Sequence, residues 1–241
     1  MTSNRDEHIS RGNAVYPAFS LINGKNLLFP KDPVSGGTWF ISNEKGDIGI
    51  LLNGAFEKHF SNPPYRKSRG VVLPEIFQND SPLNAIKQYD FSGIENFTII
   101  LWQQQQLWEI KWNGLLLHMT EINAGICHIW SSVTLYTPEM TNERKNWFTE
   151  WCNTLTIFEQ GSILDFHTQT GQDNKEYGLQ IARPDKITTV SITSIRLENQ
   201  QVTLIHKDLL RGIDVSLDYE INHLVKIHSP VNFYAEHAQN N

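Results

Sequence analysis

Four consecutive polar residues near the start of the chain, Asn4-Arg5-Asp6-Glu7, bring one guanidinium and two carboxylates close together. The planar fork of Arg5 can hold an acyl carboxylate through two hydrogen bonds, or lower the pKa of a neighbouring thiol. The structural alternative is a buried salt bridge between Arg5 and Asp6 or Glu7. We take Arg5 as a candidate catalytic residue, and Asp6 and Glu7 as candidate substrate-binding residues.

A second polar group, Ser68-Arg69-Gly70, precedes an apolar helical pattern. The glycine suggests close approach of the backbone at the start of a helix, which is a position suited to an anion. An N-cap serine followed by a packing glycine is the structural alternative, and base rates favour it. Ser68 and Arg69 are candidate substrate-binding residues.

Asp32 and the pair Gly36-Gly37 stand before the first predicted hairpin, and we expect them to shape the turn that leads into it. Trp39 follows directly. A tryptophan in such a place packs in a core more often than it stacks on a ligand. These residues are candidates for the rim of a substrate site.

No metal or cofactor site is predicted from the sequence. The histidine pairs have neither the i,i+4 helical spacing nor the carboxylate neighbours of a zinc site; they are His118 with His128, and His223 with His228. Walker, GxGxxG and GxSxG motifs are also missing from the sequence.

Composition limits the class of protein and its partners. A chain of 241 residues can form one large core, so we expect a single domain over residues 1–241. The formal charge of -6 argues against binding to nucleic acid or to an anionic membrane. No apolar run approaches the roughly 20 residues that span a bilayer, and a secretory signal is missing. We expect a cytoplasmic protein with a small-molecule ligand.

Cys127 and Cys152 have no neighbouring thiol in the sequence. We expect both to be free thiols packed in the core.

Alternating apolar residues predict three β-hairpins, each with two β-rich runs around a polar turn. The first turn, Glu44-Lys45-Gly46, ends in a glycine that tolerates positive φ. The strand pairs are Gly37–Asn43 with Asp47–Asn53, Phe97–Trp102 with Leu107–Trp112, and Ile187–Leu197 with Gln201–His206.

Helical periodicity is rarer in this sequence. It predicts helices at Tyr65–Gln78, where Ser68 could instead start the first turn, at Ser81–Tyr89, and at Pro138–Asn153. Hairpins outnumber helices and do not alternate with them. The pattern therefore favours an α+β architecture of antiparallel sheets covered by helices over a doubly wound parallel sheet.

The motif Asn4-Arg5-Asp6-Glu7 resembles the namesake motif of the NRDE family, also called the transport and Golgi organisation family. Thr188-Thr189-Val190 is similar to an edge strand of that family, and the close resemblance extends from Asn4 to Phe77. Further family signatures follow the first motif in order: Asp32-Pro33, Gly36-Gly37-Thr38-Trp39, Leu52-Asn53, Pro63-Pro64 and Ser68-Arg69-Gly70.

This resemblance implies the fold of N-terminal nucleophile hydrolases, a four-layer αββα sandwich. In such enzymes a cysteine after the initiator methionine is the nucleophile, and its own α-amine, with a pKa of ~7.7 to 8.0, is the general base. A further resemblance, to the cholylglycine-hydrolase branch, is carried by Asn43-Glu44-Lys45-Gly46 followed by Gly49-Ile50-Leu51-Leu52-Asn53. In that branch an asparagine of the equivalent strand donates to the oxyanion. Asn53 is therefore a candidate catalytic residue worth ~2.7 to 4 kcal/mol to the transition state. Its alternative role is to close a turn before Gly54.

The bile-acid enzymes place an acidic residue three positions after the arginine, where this sequence has His8. That difference leaves the roles of Asp6 and Glu7 open. In the NRDE family the motif lies on the second strand, so we expect about a dozen residues of a preceding strand to be missing here. Thr2 could act as an N-terminal nucleophile, but it lies on the strand of the motif itself. We expect the chain as given to be inactive as an N-terminal nucleophile hydrolase.

Two functions follow from the resemblance. The first is hydrolysis of an amide or acyl bond by the full-length form. The second is non-catalytic binding and trafficking of haem or of acyl-CoA and lipid, although the sequence has no haem-ligand motif such as CxxCH.

Overall fold

The computed structural model describes residues 1–222, so that His223 and His228 lie outside the described part. The strands are β1 (Thr2–His8), β2 (Val15–Ile22), β3 (Lys25–Lys31), β4 (Phe40–Asn43), β5 (Ile48–Asn53), β6 (Phe97–Gln103), β7 (Gln106–Trp112), β8 (Leu117–Ile122), β9 (Ile187–Glu198), β10 (Gln201–Asp208) and β11 (Ile213–Glu220). The helices are α1 (Val72–Phe77), α2 (Pro82–Gln88), α3 (Pro138–Thr154) and α4 (Gln160–Gln169), and 3-10 turns lie at Ile9–Arg11 and Arg69–Val71.

These strands form two antiparallel sheets. The seven-stranded sheet is a meander in which β2 to β8 pair in chain order, and the four-stranded sheet has the order β1-β9-β10-β11. Among the described strands β1 pairs with β9 alone, so the motif from Asn4 to Glu7 lies on an edge strand. The register of this pair shifts between Arg5 and Asp6, as in a β-bulge.

The two faces of the seven-stranded sheet bury two separate cores. One face packs on α1 and α2 through residues such as Phe77 and Ile86. The other face packs on the four-stranded sheet, where Phe40 and Ile195 belong to one buried cluster. Neighbouring residues of a strand point to opposite faces.

The outer face of the four-stranded sheet is covered by the other two helices. Ser194, the neighbour of Ile195, accepts a hydrogen bond from Gln160 of α4 at 3.2 Å. α3 packs on α4, because Phe148 and Phe166 make an edge contact at 5.7 Å. The layers are thus helices, sheet, sheet and helices, which confirms the predicted α+β fold and αββα sandwich.

All three predicted hairpins are present, and the two helices predicted at Ser81–Tyr89 and Pro138–Asn153 match α2 and α3 closely. The helical segment does not start at Tyr65, because the backbone N–H of Arg66 binds the carbonyl of Gly93. The alternative start at Ser68 is confirmed, since Ser68 caps the 3-10 turn that precedes α1. The segment Thr188-Thr189-Val190 is not at an edge, since β9 lies between β1 and β10. β2, β3, β8, β11 and α4 were not predicted.

Gly37 and Gly70 bring the turn before β4 against the 3-10 turn that starts at Arg69. The backbone N–H of Thr38 donates to the carbonyl of Gly70 at 2.8 Å. A Cβ atom on Gly37 would lie 2.2 Å from the carbonyl carbon of Gly70, a distance that no van der Waals contact allows. The absence of a side chain at Gly37 is therefore required for this packing.

We predict that Gly37→Ala lowers the free energy of unfolding by about 1–3 kcal/mol, because backbone has to move to admit the methyl group. Gly161→Ala in α4 is the matched control, since a Cβ there meets nothing within 4 Å. That change should be neutral or stabilising by up to about 1 kcal/mol. Urea unfolding measures both variants, and equal stabilities would contradict the packing described for Gly37.

His206 of β10 is buried between the two sheets and is 1% exposed. Its Nδ1 lies 2.9 Å from the hydroxyl of Thr193. The ring centroid is 6.3 Å from that of Tyr16 and 6.5 Å from that of Trp39. Burial lowers the pKa of His206 to about 4, and the nearby charged groups that modify it are Asp208, Asp214, Arg5 and Arg211.

The burial of His206 should make the protein less stable as the pH is lowered. Below about pH 6.5 the unfolded chain takes up a proton at His206, whereas the folded protein does so only near a pKa of about 4. Unfolding thus binds a proton in this window, and stability declines from pH 6.5 towards 4 by up to about 1.4 kcal/mol per pH unit. His206→Asn, whose side-chain amide takes the position of Nδ1 and can keep the bond to Thr193, should flatten that decline in urea unfolding series. Identical pH slopes in the two proteins would show that His206 does not cause it.

Candidate functional site

A cavity of about 610 Å³ lies beside the open edge of β1. Ser3 and Arg5, which point towards the seven-stranded sheet, line it together with Asn4 and Asp6, which point towards the helices. Since consecutive side chains of a strand point to opposite faces, a cavity that contacts both sets has to wrap around the edge of the strand. All seven candidate residues from the sequence line this one cavity: Arg5, Asp6, Glu7, Trp39, Asn53, Ser68 and Arg69.

Arg5 is one of three buried charged groups of the cavity, with 6% of its surface exposed; the others are Asp32 and Arg144. It forms a hydrogen-bonded ion pair with Asp32, lies 3.6 Å from Glu7, and stacks over the ring of Trp39 at 4.5 Å. Of the two salt-bridge partners considered for Arg5, Glu7 is confirmed and Asp6 is not, while Asp32 is the principal partner. Within residues 1–222 the buried Nη1 of Arg5 has no hydrogen-bond partner.

Asp32 joins this ion pair to the turn that it was predicted to shape. Its Oδ1 accepts from the backbone N–H groups of Val34 at 3.0 Å and Ser35 at 2.8 Å. Its Oδ2 accepts from Arg5 and, at 3.1 Å, from Arg11. Burial alone would raise the pKa of Asp32, but the Ser35 hydrogen bond and the two arginines outweigh it and lower the pKa. Asp32 is therefore ionised and holds Arg5 in place.

Asp6 and Glu7 lie in different surroundings although they are neighbours in sequence. Asp6 accepts from the hydroxyl of Tyr136 at 2.5 Å and from that of Thr189 at 2.6 Å. Burial and the charge of Asp6 raise the pKa of Tyr136, which keeps this phenol protonated as the donor. Glu7 is partly exposed and lies 3.5 Å from Arg11. Asp6 thus fixes protein groups, whereas Glu7 lies at the rim.

Asn53 ends β5 at the wall of the cavity. Its carbonyl accepts from the hydroxyl of Ser132 at 2.9 Å. Its side-chain amide makes no hydrogen bond to any part of the chain that the structure describes, so the predicted alternative of a turn-closing side chain gains no support. The amide remains available to donate to a ligand.

Ser68 and Arg69 support the wall opposite β1. The hydroxyl of Ser68 accepts from the backbone N–H of Gly70 at 3.3 Å, which is the N-cap role given as the structural alternative. Arg69 lies 3.2 Å from Glu95 and donates to the carbonyl of Asn96. Burial lowers the pKa of Arg69, and Glu95 partly offsets this effect.

Sequence reasoning missed the residues that line the helix side of the cavity. Arg144 of α3 is 6% exposed and lies over the ring of Tyr136 at 3.9 Å. His167 of α4 has its Nδ1 2.8 Å from the amide oxygen of Asn4. Burial and the charge of Arg144 lower the pKa of His167 to about 3. The residues around Arg144 are polar, as is typical of a solvent-exposed helix face, so little in the sequence indicates that Arg144 is buried.

An aromatic cluster forms the apolar part of the same wall. Trp151 of α3 lies 4.6 Å from Phe166 of α4, and its ring is 5.8 Å from that of Phe158. Phe148 completes the cluster, and all four residues line the cavity. Trp147 of the same helix stacks on Tyr177 at 5.9 Å.

The two cysteines differ from expectation. Cys127 is exposed and lines the cavity, and Cys152 is partly exposed, so the prediction of two core thiols is wrong. The thiol of Cys127 lies beside that of Cys152, and burial together with this neighbour raises the pKa of Cys152 to about 11. The pair could not be predicted from sequence spacing, because Cys127 lies in the loop before α3 and Cys152 lies near the end of that helix.

No cluster of three metal-binding side chains forms within residues 1–222. Of the helices described, none combines the length and the apolar character needed to cross a bilayer.

Comparisons with known proteins show the family to which the chain belongs. No curated protein sequence matches the chain. Among solved structures, it is similar to a variant of a conjugated bile acid hydrolase from Clostridium perfringens, with a TM-score of 0.45 and 10% identity over 85% of this chain and 84% of that chain. The family model of "Transport and Golgi organisation 2" matches residues 1–203. The chain therefore belongs to the transport and Golgi organisation 2 family.

Proposed function

We propose that the cavity binds an amide or acyl compound and that Arg5 and Asn53 act on its acyl group, as in an amide or acyl bond hydrolase. The observation that carries this function is the free side-chain amide of Asn53, which lines the same cavity as the buried Arg5. Both residues bring N–H donors that the described protein groups leave unused.

Donors of this kind stabilise the charge that develops on an acyl oxygen. The amide of Asn53 carries two N–H groups, and Arg5 adds a guanidinium whose Nη1 is buried without a partner among residues 1–222. A buried donor interacts more strongly with developing charge than one in water, because the local dielectric is low. We assign the nucleophile to no residue among those described.

The remaining candidates have supporting roles in this proposal. Trp39, Glu7 and Arg69 form the rim that contacts the substrate, and Asp6 and Ser68 position the wall. The aromatic cluster on α3 and α4 favours a substrate with an apolar body. We further propose a cytoplasmic protein with a single domain over residues 1–241, which binds a small molecule and inserts into no membrane.

We predict saturable binding of octanamide, a simple apolar amide, measured by the fluorescence of the protein. Three tryptophans line the cavity and report on its occupancy: Trp39, Trp130 and Trp151. Asn53→Ala should weaken binding about tenfold, because one hydrogen bond to the amide oxygen is lost. Arg5 is unsuitable for this test, because its removal would leave Asp32 buried without its partner.

Asn146→Ala provides the control, since Asn146 is an exposed residue of α3 outside the cavity. Its affinity for octanamide should equal that of the unaltered protein. Absence of saturable binding, or equal affinities in Asn53→Ala and Asn146→Ala, would count against the acyl site.

A second candidate function is non-catalytic binding and trafficking of haem or of acyl-CoA and lipid. The aromatic cluster favours it, because four aromatic side chains suit a large apolar ligand as well as a substrate. This function predicts a Soret shift on addition of haem, or saturable titration with octanoyl-CoA. Failure of both titrations, together with binding of octanamide, would leave the acyl site as the better description.

A further inference from the structure

Arg144 is a buried charge without a carboxylate partner. Among residues 1–222 no acidic side chain lies within salt-bridge distance of its guanidinium, although Arg144 is 6% exposed. Nη2 donates to the carbonyl of Gly178 at 3.2 Å, and Nη1 donates to the hydroxyl of Ser131 at 3.4 Å. Burial of an unpaired ion is costly, so a protein that keeps one needs a reason for it.

The guanidinium also has unused donors. It carries five N–H groups, and in the described chain two hydrogen bonds engage it, while its buried Nε has no partner. Arg144 and Ser131 both line the cavity, so these donors border the space that a ligand would occupy.

The local charge around Tyr136 is positive. The guanidinium of Arg144 lies 3.9 Å from the ring centroid and that of Arg183 lies 5.2 Å from it. Asp6 is the acidic group that contacts this ring, through its hydrogen bond from the phenol. Two guanidinium charges therefore accompany one carboxylate, which leaves room for one further negative charge.

We propose that Arg144 binds a carboxylate carried by the apolar body of the ligand, with the hydroxyl of Ser131 beside it. This inference rests on the proposed function, and it names the substrate class: an amide or acyl compound whose apolar body ends in a carboxylate. A monoanion matches the single excess positive charge, and the planar fork of arginine matches the two oxygens of a carboxylate.

The apolar body belongs beside Arg144 because α3 presents both groups on one face. Phe148 and Trp151 follow Arg144 by four and seven residues, so the three side chains share a face of the helix. All three line the cavity. A chain lying along α3 thus contacts the aromatic rings and ends near the guanidinium.

The two ends of such a ligand contact opposite sides of β1. Arg5 contacts Trp39 on the side of the seven-stranded sheet, whereas Arg144 contacts Tyr136 on the helix side. Because the cavity wraps the open edge of β1, an elongated ligand can place its acyl group near Asn53 and its carboxylate near Arg144. One end is then available for reaction and the other for recognition.

Matched probes test this assignment. Octanamide has the amide alone, suberic acid monoamide adds a terminal carboxylate, and suberamide replaces that carboxylate with a neutral amide. The monoamides and simple amides of six-carbon and ten-carbon chains cover other spacings. We expect the best monoamide to bind at least about tenfold more tightly than octanamide or suberamide, as charge-assisted hydrogen bonds are the stronger kind.

Arg144→Met should abolish this preference, so that the monoamide binds no more tightly than octanamide. Lys145→Met is the matched control, because it removes the same charge from an exposed position of the same helix, and it should keep the preference. Arg144→Lys is the second variant in case Arg144→Met does not fold. It keeps the charge but loses the fork, so the preference should fall several-fold.

Equal affinities for all three probe types in the unaltered protein would overturn the carboxylate site. So would a preference that survives in a folded Arg144 variant, or one that Lys145→Met removes as well. Failure of the proposed function is distinguishable from these results. If only the proposed function fails, the preference for the monoamide still depends on Arg144, but Asn53→Ala has no effect on the binding of any amide probe.

Discussion

The buried ion pair between Arg5 and Asp32 is the interaction on which the site depends. It ties β1 of the four-stranded sheet to the turn that leads into the β4–β5 hairpin of the other sheet. The same carboxylate fixes that turn through the N–H groups of Val34 and Ser35. Removal of one partner of a buried pair typically costs 3–5 kcal/mol, so neither residue can change without loss of the site. Only the part of the Arg5 guanidinium that does not contact Asp32 is therefore available to bind a ligand.

β1 lines a deep cavity although it is an edge strand among the described strands. An exposed strand edge ordinarily invites pairing with another strand. Here the edge of β1 is enclosed by the loop before α3, by the two outer helices and by the β4–β5 hairpin, and the space between them is the cavity. Side chains from both faces of β1 therefore line this one cavity.

The sequence predicts those parts of the fold that local turns and short periodic runs specify. The three hairpins depend on polar turns such as Glu44-Lys45-Gly46, and α2 depends on the Ser81 cap, so they were identified correctly. The start of α1 depends on the contact of Arg66 with Gly93, which is distant in sequence and invisible to pattern analysis. The four-layer arrangement came from the family resemblance, because periodicity shows which face is apolar but not what covers it.

The site divides in the same way. The residues of β1 and of the β4–β5 hairpin were identified correctly, because they lie in short segments that resemble the motifs of the family. Arg144 is surrounded by Asn142, Glu143, Lys145 and Asn146, and such a polar segment is typical of a solvent-exposed helix face. Its burial results from Tyr136, which lies in the preceding loop and stacks on the guanidinium. A contact between side chains in a loop and a helix carries no sequence period, so only the folded chain reveals it.

The irregular register of β1 gives the adjacent charges of the motif their different roles. Arg5 pairs with Ser191 while Asp6 pairs with Thr189, so one extra residue of β9 lies between them. Such a bulge changes the direction of side chains locally and is common next to functional sites. Asp6 thereby reaches the hydroxyls of Thr189 and Tyr136, and its charge is used on the helix side of the strand. Because Asp6 is engaged there, it does not compete with Asp32 for Arg5, and the two sides of the cavity keep separate charges.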